Sequence, residues 1–234
     1  MAILKDVHTV LFDAVGTLIE ADPAVAEVYH RFGSQFGSQL SVSQITSRFR
    51  AALEQSTGDD QSLSSPQLER ERWRRIVDVV FYDVDQNQDQ LFESLWEYFA
   101  RGESWRLYDD VADVWRSLQD LGLRLAIATN FDDRILQVVA RHPPLDQCQH
   151  VYYSANLGFT KPSCSYFEAI VQRLQSPPCQ LLMVGDHPVH DVWGPRQAGW
   201  QAILLERDHH LKDPDPNDPL RITGLQQLRA LLAV

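Results

Sequence analysis

Val10-Leu11-Phe12-Asp13-Ala14-Val15-Gly16-Thr17-Leu18 begins as an apolar run and breaks on a carboxylate. Val10 to Phe12 read as a buried strand. Asp13 ends it, and Gly16 permits the turn that would present the carboxylate to a ligand. Three distant segments repeat the form. Leu125-Ala126-Ile127-Ala128 leads into Thr129-Asn130, and the loop Asn156-Leu157-Gly158-Phe159-Thr160 leads into Lys161-Pro162. Leu181-Leu182-Met183-Val184-Gly185 leads into Asp186, with Asp191 following on the next turn. In an open α/β sheet such strand ends converge on one edge, where ligands bind. One pocket would then hold an aspartate, a Thr-Asn pair, a lysine and two further aspartates.

The 234 residues suffice for one full domain, or for a domain with a smaller one inserted. Apolar content of 44% and charged content of 23% are ordinary for a globular protein. No apolar stretch approaches the ~20 residues of a membrane span. Met1 to Asp6 is too short and too charged for a secretory segment, so a cytoplasmic location without membrane partners is expected. A net charge of −11 argues against nucleic acid, whose phosphates need a basic face. A phosphorylated small molecule still fits, because a lysine, a metal ion and helix N-termini outweigh the global sign locally. Cys148, Cys164 and Cys179 form no C-x-x-C, and reduced, mostly packed thiols are expected. Nothing here sets the oligomeric state.

After the first strand comes a long stretch with helical periodicity. Asp22-Pro23 reads as an N-cap with proline at the first helical position, followed by Val25, Val28, Tyr29, Phe32 and Phe36 at helical spacing. Further helices are expected over 41–55, from Pro66 through Trp73, Ile76, Val77 and Val80, and over 88–100, with 56–65 as a loop. From about Trp105 helices and strands alternate, which implies a doubly wound parallel sheet. Strands are expected at 123–129, 151–154, 181–184 and 201–205. Helices are expected at 110–122, 132–141, 163–174, 189–199 and from Gly224. Residues 207–219, dense in Asp and Pro and holding His209-His210, read as a polar excursion. Trp193 and Trp200 are expected to pack their helix on the sheet.

Each candidate has a plain structural reading beside the functional one. Asp13 can attack phosphorus or carbon, or ligate a metal; it can also cap its strand through an Asx-turn. Asn130 can bind ligand or cap the next helix, and Lys161 can serve the site or sit solvated at the surface. Asp186 and Asp191 straddle a strand-to-helix turn and can both reach one hard cation. Mg²⁺ commonly takes one or two carboxylates with waters and substrate phosphate. The plain alternative is an N-cap and a first-turn acid favoured by the helix dipole. His187 and His190 have no partners at zinc spacing and read as rim residues.

The order and spacing of these segments resemble the haloacid dehalogenase-like (HAD) superfamily, most of whose enzymes transfer phosphoryl groups through an aspartate. The resemblance implies a Rossmann-like core over residues 1–18 and 106–234, with an inserted all-helical cap over 19–105. It implies Asp13 as nucleophile, Thr129 and Asn130 as phosphate ligands, and Lys161, within Gly158-Phe159-Thr160-Lys161-Pro162, as both catalytic and phosphate-binding. The metal, Mg²⁺, would be held by Asp13, Asp186, Asp191 and the backbone carbonyl of Val15. Val15 departs from the phosphatase pattern, which has an acid–base aspartate there; that role is worth ~10²–10⁴ in rate. Three expectations follow: a Mg²⁺-dependent phosphohydrolase of a small phosphorylated metabolite, with phosphonoacetaldehyde hydrolase as the precedent lacking that aspartate; a 2-haloacid dehalogenase, whose Asp-Ala-Tyr-Gly-Thr-Leu differs from Asp13-to-Leu18 at one residue; or a binding module. The Asp13-to-Thr17 turn, Val28-Tyr29 with Phe36-Gly37, and Asn130-Phe131-Asp132-Asp133-Arg134 are similar to a group typified by haloacid dehalogenase-like hydrolase domain-containing protein 3.

Overall fold

A computed structural model describes residues 4–58, 62–207 and 220–232. The chain begins with β1 (Thr9–Phe12), β2 (Ile19–Ala21), α1 (Val25–Gln35), α2 (Val42–Gly58), α3 (Pro66–Val80) and α4 (Gln88–Ala100). It continues through β3 (Trp105–Leu107), α5 (Val111–Asp120), β4 (Arg124–Thr129), α6 (Arg134–Ala140), β5 (Val151–Tyr153) and α7 (Ser154–Leu157). It closes with α8 (Cys164–Leu174), β6 (Leu181–Gly185), α9 (Gly194–Gln197), β7 (Gln201–Leu205), β8 (Leu220–Ile222) and α10 (Leu228–Leu231).

Six strands form one parallel sheet in the order β5-β4-β1-β6-β7-β8. This is the doubly wound α/β architecture expected from the alternation. Its central strands are buried along nearly their whole length, Arg124 at the start of β4 excepted, because helices cover both faces. Val10 and Phe12 join one core with Trp115 and Ile127, while Leu11 points to the other with Tyr166 and Phe167. Trp115 is among the largest fully buried side chains, and truncating it to alanine costs about 3–5 kcal/mol.

Helices α1 to α4 build a third core of their own around Val28, Tyr29, Ile45, Val80 and Phe92. The Arg134 guanidinium, held by Asp132 at 2.7 Å, lies 3.4 Å from the ring centroid of Trp96 and fastens α6 to α4. No helix among the described residues is long and apolar enough to cross a membrane.

Several expectations are corrected. The stretch expected to be all helical begins and ends in strand, because β2 and β3 pair with each other antiparallel, Ala21 opposite Trp105. Asp22-Pro23 does not cap α1: the Asp22 amide continues that ribbon by donating to the Ser104 carbonyl, and the helix starts later, at Val25. Residues 188–193 coil as a wider π-helical turn before α9, which turns Trp193 outward (54% exposed) while Trp200 stays buried against Phe167. Cys164 and Cys179 are exposed and only Cys148 is half-buried, so the thiols are free but mostly not packed. Strand β8 was not expected beside the polar tract. Of that tract, 208–219, including His209-His210, lies outside the described residues, as do 59–61 of the expected loop.

Candidate functional site

Strands β1, β4 and β6 end side by side, so Asp13, Thr129 and Asp186 emerge at one edge of the sheet. The turn after Asp13 is tied by its own backbone: the amides of Leu18 and Ile19 both donate to the Ala14 carbonyl. Gly16 has φ +87°, and a Cβ there would lie 2.5 Å from Asp186 Oδ2. Glycine is therefore required both by conformation and by the neighbouring carboxylate.

Lys161 is the electrostatic centre. Its side chain is 1% exposed, and Nζ donates to Asp13 Oδ1 at 2.7 Å, Asp191 Oδ1 at 2.6 Å and the Ala128 carbonyl at 3.0 Å. All three ammonium protons are thus placed. Burial alone would depress this group, but the charges of Asp13 and Asp191 outweigh it and hold Lys161 protonated.

The π-helical turn brings Asp191 back over Gly185, where a Cβ would lie 2.3 Å from the Asp191 carboxyl carbon. Asp191 Oδ2 accepts the His187 amide at 3.0 Å, and His187, not an aspartate, caps the turn by accepting from Val189 and His190. His187 and His190 stack with ring centroids 3.9 Å apart at the rim.

Asp13, Asp186 and Asp191 each offer an oxygen within 4.8 Å of the others. When ionised, three carboxylates against one ammonium leave two negative charges, which suits a divalent hard cation. The crowding shows in the acidities. Burial raises Asp13 above the usual carboxylate range despite Lys161, and the Asp191 charge adds to it. Asp186, open at its rim but closely packed on the Gly16 side, is pushed up to about 7 by desolvation and by the charges of Asp13 and Asp191.

Thr129 is buried at the end of β4, and its side chain lowers the Asp13 pKa against the effect of burial. Asn130, expected to contact a ligand phosphate, is occupied differently. Its Nδ2 donates to the Lys161 carbonyl at 3.0 Å and its Oδ1 accepts the Lys161 amide at 2.8 Å, so it clamps the lysine backbone. Val15 lies 39% exposed beside the cluster, and among the described residues nothing donates to its carbonyl.

Sequence reasoning missed three residues. Thr17 Oγ1 donates to Asp186 Oδ1 at 3.4 Å. Arg207 donates to the Thr17 carbonyl at 2.6 Å and to Asp110, with its guanidinium 3.8 Å from the Tyr108 ring centroid. Glu69 lies buried on α3; it falls in phase with Trp73, Ile76, Val77 and Val80, and a carboxylate on an apolar stripe was the available signal.

A model of haloacid dehalogenase-like hydrolases matches residues 7–199. Haloacid dehalogenase-like hydrolase domain-containing protein 3 of Danio rerio is 28% identical over 211 residues, 86% of each chain. A structure described as the HAD-hydrolase YfnB from Bacillus subtilis bound to magnesium aligns with a TM-score of 0.76 at 19% identity, over 98% of this chain and 100% of that one. L-2-haloacid dehalogenase from Xanthobacter autotrophicus, with chloropropionic acid covalently bound, aligns at 0.70 and 18% identity, over 96% and 98%.

Proposed function

The chain belongs to the haloacid dehalogenase-like hydrolases, and on that premise we propose that it is a Mg²⁺-dependent phosphohydrolase of a small phosphorylated metabolite, acting in the cytoplasm through an aspartyl-phosphate on Asp13. The observation that carries this reading is the cluster of Asp13, Asp186 and Asp191, which when ionised holds two negative charges more than Lys161 and so suits a divalent cation. Asp13, Asp186, Asp191 and the Val15 carbonyl would hold Mg²⁺. When bound, it would supply positive charge to the phosphate oxygens.

In the first step an Asp13 oxygen attacks phosphorus, and the bond to the leaving oxygen breaks with its electron pair on that oxygen. Lys161 favours the ionised form of Asp13 against its burial and aims it, and with the Thr129 hydroxyl it steadies the negative charge of the transferring group. Water then attacks phosphorus, the bond to Asp13 breaks with its electron pair on the carboxylate, and the water proton leaves with the released phosphate or to solvent. Helices α1 to α4, joined through β2 and β3, act as a cap that excludes bulk water. Val15 can neither protonate the leaving oxygen nor activate water. The reading therefore favours phosphorylated substrates whose leaving group departs as a stable anion, such as aryl phosphates or acyl phosphates.

The second reading, dehalogenation by Asp13 attack on carbon, draws on Val15 and on the dehalogenase likeness, but it leaves Asp186 without a part. Phosphate release from aryl, acyl and alkyl phosphates, with Mg²⁺ and with chelator, on wild type and Asp13→Asn, separates them. Chelator-sensitive release that vanishes in Asp13→Asn is expected. Release that survives that substitution unchanged sinks the assignment, and halide release unaffected by chelator transfers it to the dehalogenase.

A further inference from the structure

A charge in an apolar face is costly unless something compensates it. The Glu69 side chain is 4% exposed, and its Oε1 accepts from Ser64 Oγ at 2.7 Å and from Ser154 Oγ at 3.1 Å. Among the described residues its Oε2 is buried without a hydrogen bond, with Arg72 Nη1 at 3.7 Å. Ser64 precedes α3, whereas Ser154 opens α7 on the sheet side of the molecule, and its single hydroxyl proton is shared between Glu69 Oε1 and the Phe131 carbonyl at 2.9 Å. One carboxylate thus joins the helical segment to the start of the loop that leads to Lys161.

The far end of that loop is gripped by the same segment. The Ser64 amide donates to the Gly158 carbonyl and the Thr160 amide to the Ser62 carbonyl, both at 2.9 Å. Leu63 stands opposite Phe159 in an antiparallel bridge. The next residue is Lys161, whose amide is held by Asn130 and whose Nζ reaches Asp13. The register of the helical segment is thereby passed through backbone hydrogen bonds to the lysine.

We propose that Glu69 is a positioning residue, which fixes the 154–160 loop so that Lys161 meets Asp13 only while the helical segment is docked. The inference rests on the role given to Lys161 above. Without Glu69, Ser64 and Ser154 lose their shared acceptor, the Ser62–Thr160 ladder loosens, and the lysine head drifts from the nucleophile. A displacement of about 1 Å in such a group costs up to ~10²-fold in rate.

The test compares the whole chain as wild type, Glu69→Ala, Glu69→Gln and Ser154→Ala. Amide hydrogen exchange is followed at Thr160 and Lys161, and kcat and KM are measured for p-nitrophenyl phosphate with Mg²⁺. Glu69→Ala and Ser154→Ala should exchange these two amides at least tenfold faster and lower kcat about tenfold or more, with KM within threefold. Glu69→Gln, which keeps the Oε1 acceptor, should stay within threefold of wild type. A merely structural Glu69 would lower the melting temperature and leave exchange at these amides and kcat within twofold of wild type; that result overturns the proposal. Should Glu69→Ala fail to fold, Ser154→Ala and Ser64→Ala decide by the same criteria. If the wild type shows no Asp13-dependent release, the phosphohydrolase reading fails by itself, and exchange at Thr160 and Lys161 alone decides this one.

Discussion

Lys161→Met removes the ammonium that two buried carboxylates share, 2.7 Å from Asp13 and 2.6 Å from Asp191, at a side chain only 1% exposed. Methionine nearly fills the volume, so the cost is electrostatic rather than a cavity. Removing one partner of a buried ion pair costs about 3–5 kcal/mol. Proton linkage gives the same size independently. With Lys161 gone, one of the two carboxylates must take up a proton to stay buried. Holding a carboxyl of ordinary pKa ~3.9 protonated at pH 7 costs about 4 kcal/mol, at 1.36 kcal/mol per pH unit. The folded-state pKa is then raised above the unfolded one, the direction Asp13 already takes in the wild type. The destabilisation is therefore complete above the folded pKa, shrinks as pH falls, and is gone below about pH 4. Urea unfolding of both proteins in chelator should show a deficit of about 4 kcal/mol at pH 7 and about 1.5 kcal/mol at pH 5. A deficit under about 1 kcal/mol at pH 7, or one equal at the two pH values, refutes the charge-sharing account.

Val15→Asp should raise turnover of alkyl phosphates at least tenfold, toward the ~10²–10⁴ that a placed acid–base group supplies, and raise aryl phosphates much less. An unchanged alkyl-to-aryl ratio counts against the leaving-group argument. Gly185→Ala drives a methyl to 2.3 Å from the Asp191 carboxyl carbon. It should cost about 1–3 kcal/mol and shrink the Mg²⁺-induced rise in melting temperature, and a rise equal to wild type speaks against Asp191 as a metal group. Iodoacetamide at pH 8, followed by mass spectrometry, should modify exposed Cys164 and Cys179 well before Cys148, whose thiol burial pushes up. Equal rates would contradict that order.

The parallel sheet and the meeting of Asp13, Thr129, Lys161, Asp186 and Asp191 were legible because each depends on a local pattern: an apolar run, then a polar residue at a turn. What stayed hidden depends on distant partners. The strands β2 and β3 have three residues each and exist only through each other. The Asn130 amide could have faced solvent, a ligand or backbone, and only the return of the lysine loop decides for backbone. Trp193 is a large apolar residue that helical phase places inward, and one wider turn rotates it out. Arg207 follows β7, far in sequence from the Thr17 carbonyl that it serves. Glu69 was visible as an anomaly of phase, but its acceptor role required Ser154 to arrive from the other side.

The pairing of Ala21 with Trp105 also bears on descent. The helical segment leaves and rejoins the rest of the chain through the paired strands of the separate β2–β3 ribbon, so the gap it spans in space is one strand spacing, whatever its length in sequence. Insertions, deletions or wholesale exchange between those two residues leave the registry of β1, β4 and β6 untouched. Chemistry and substrate choice can therefore diverge on separate evolutionary clocks. The Ser62-to-Ser64 contact with the lysine loop is where the two histories have to agree.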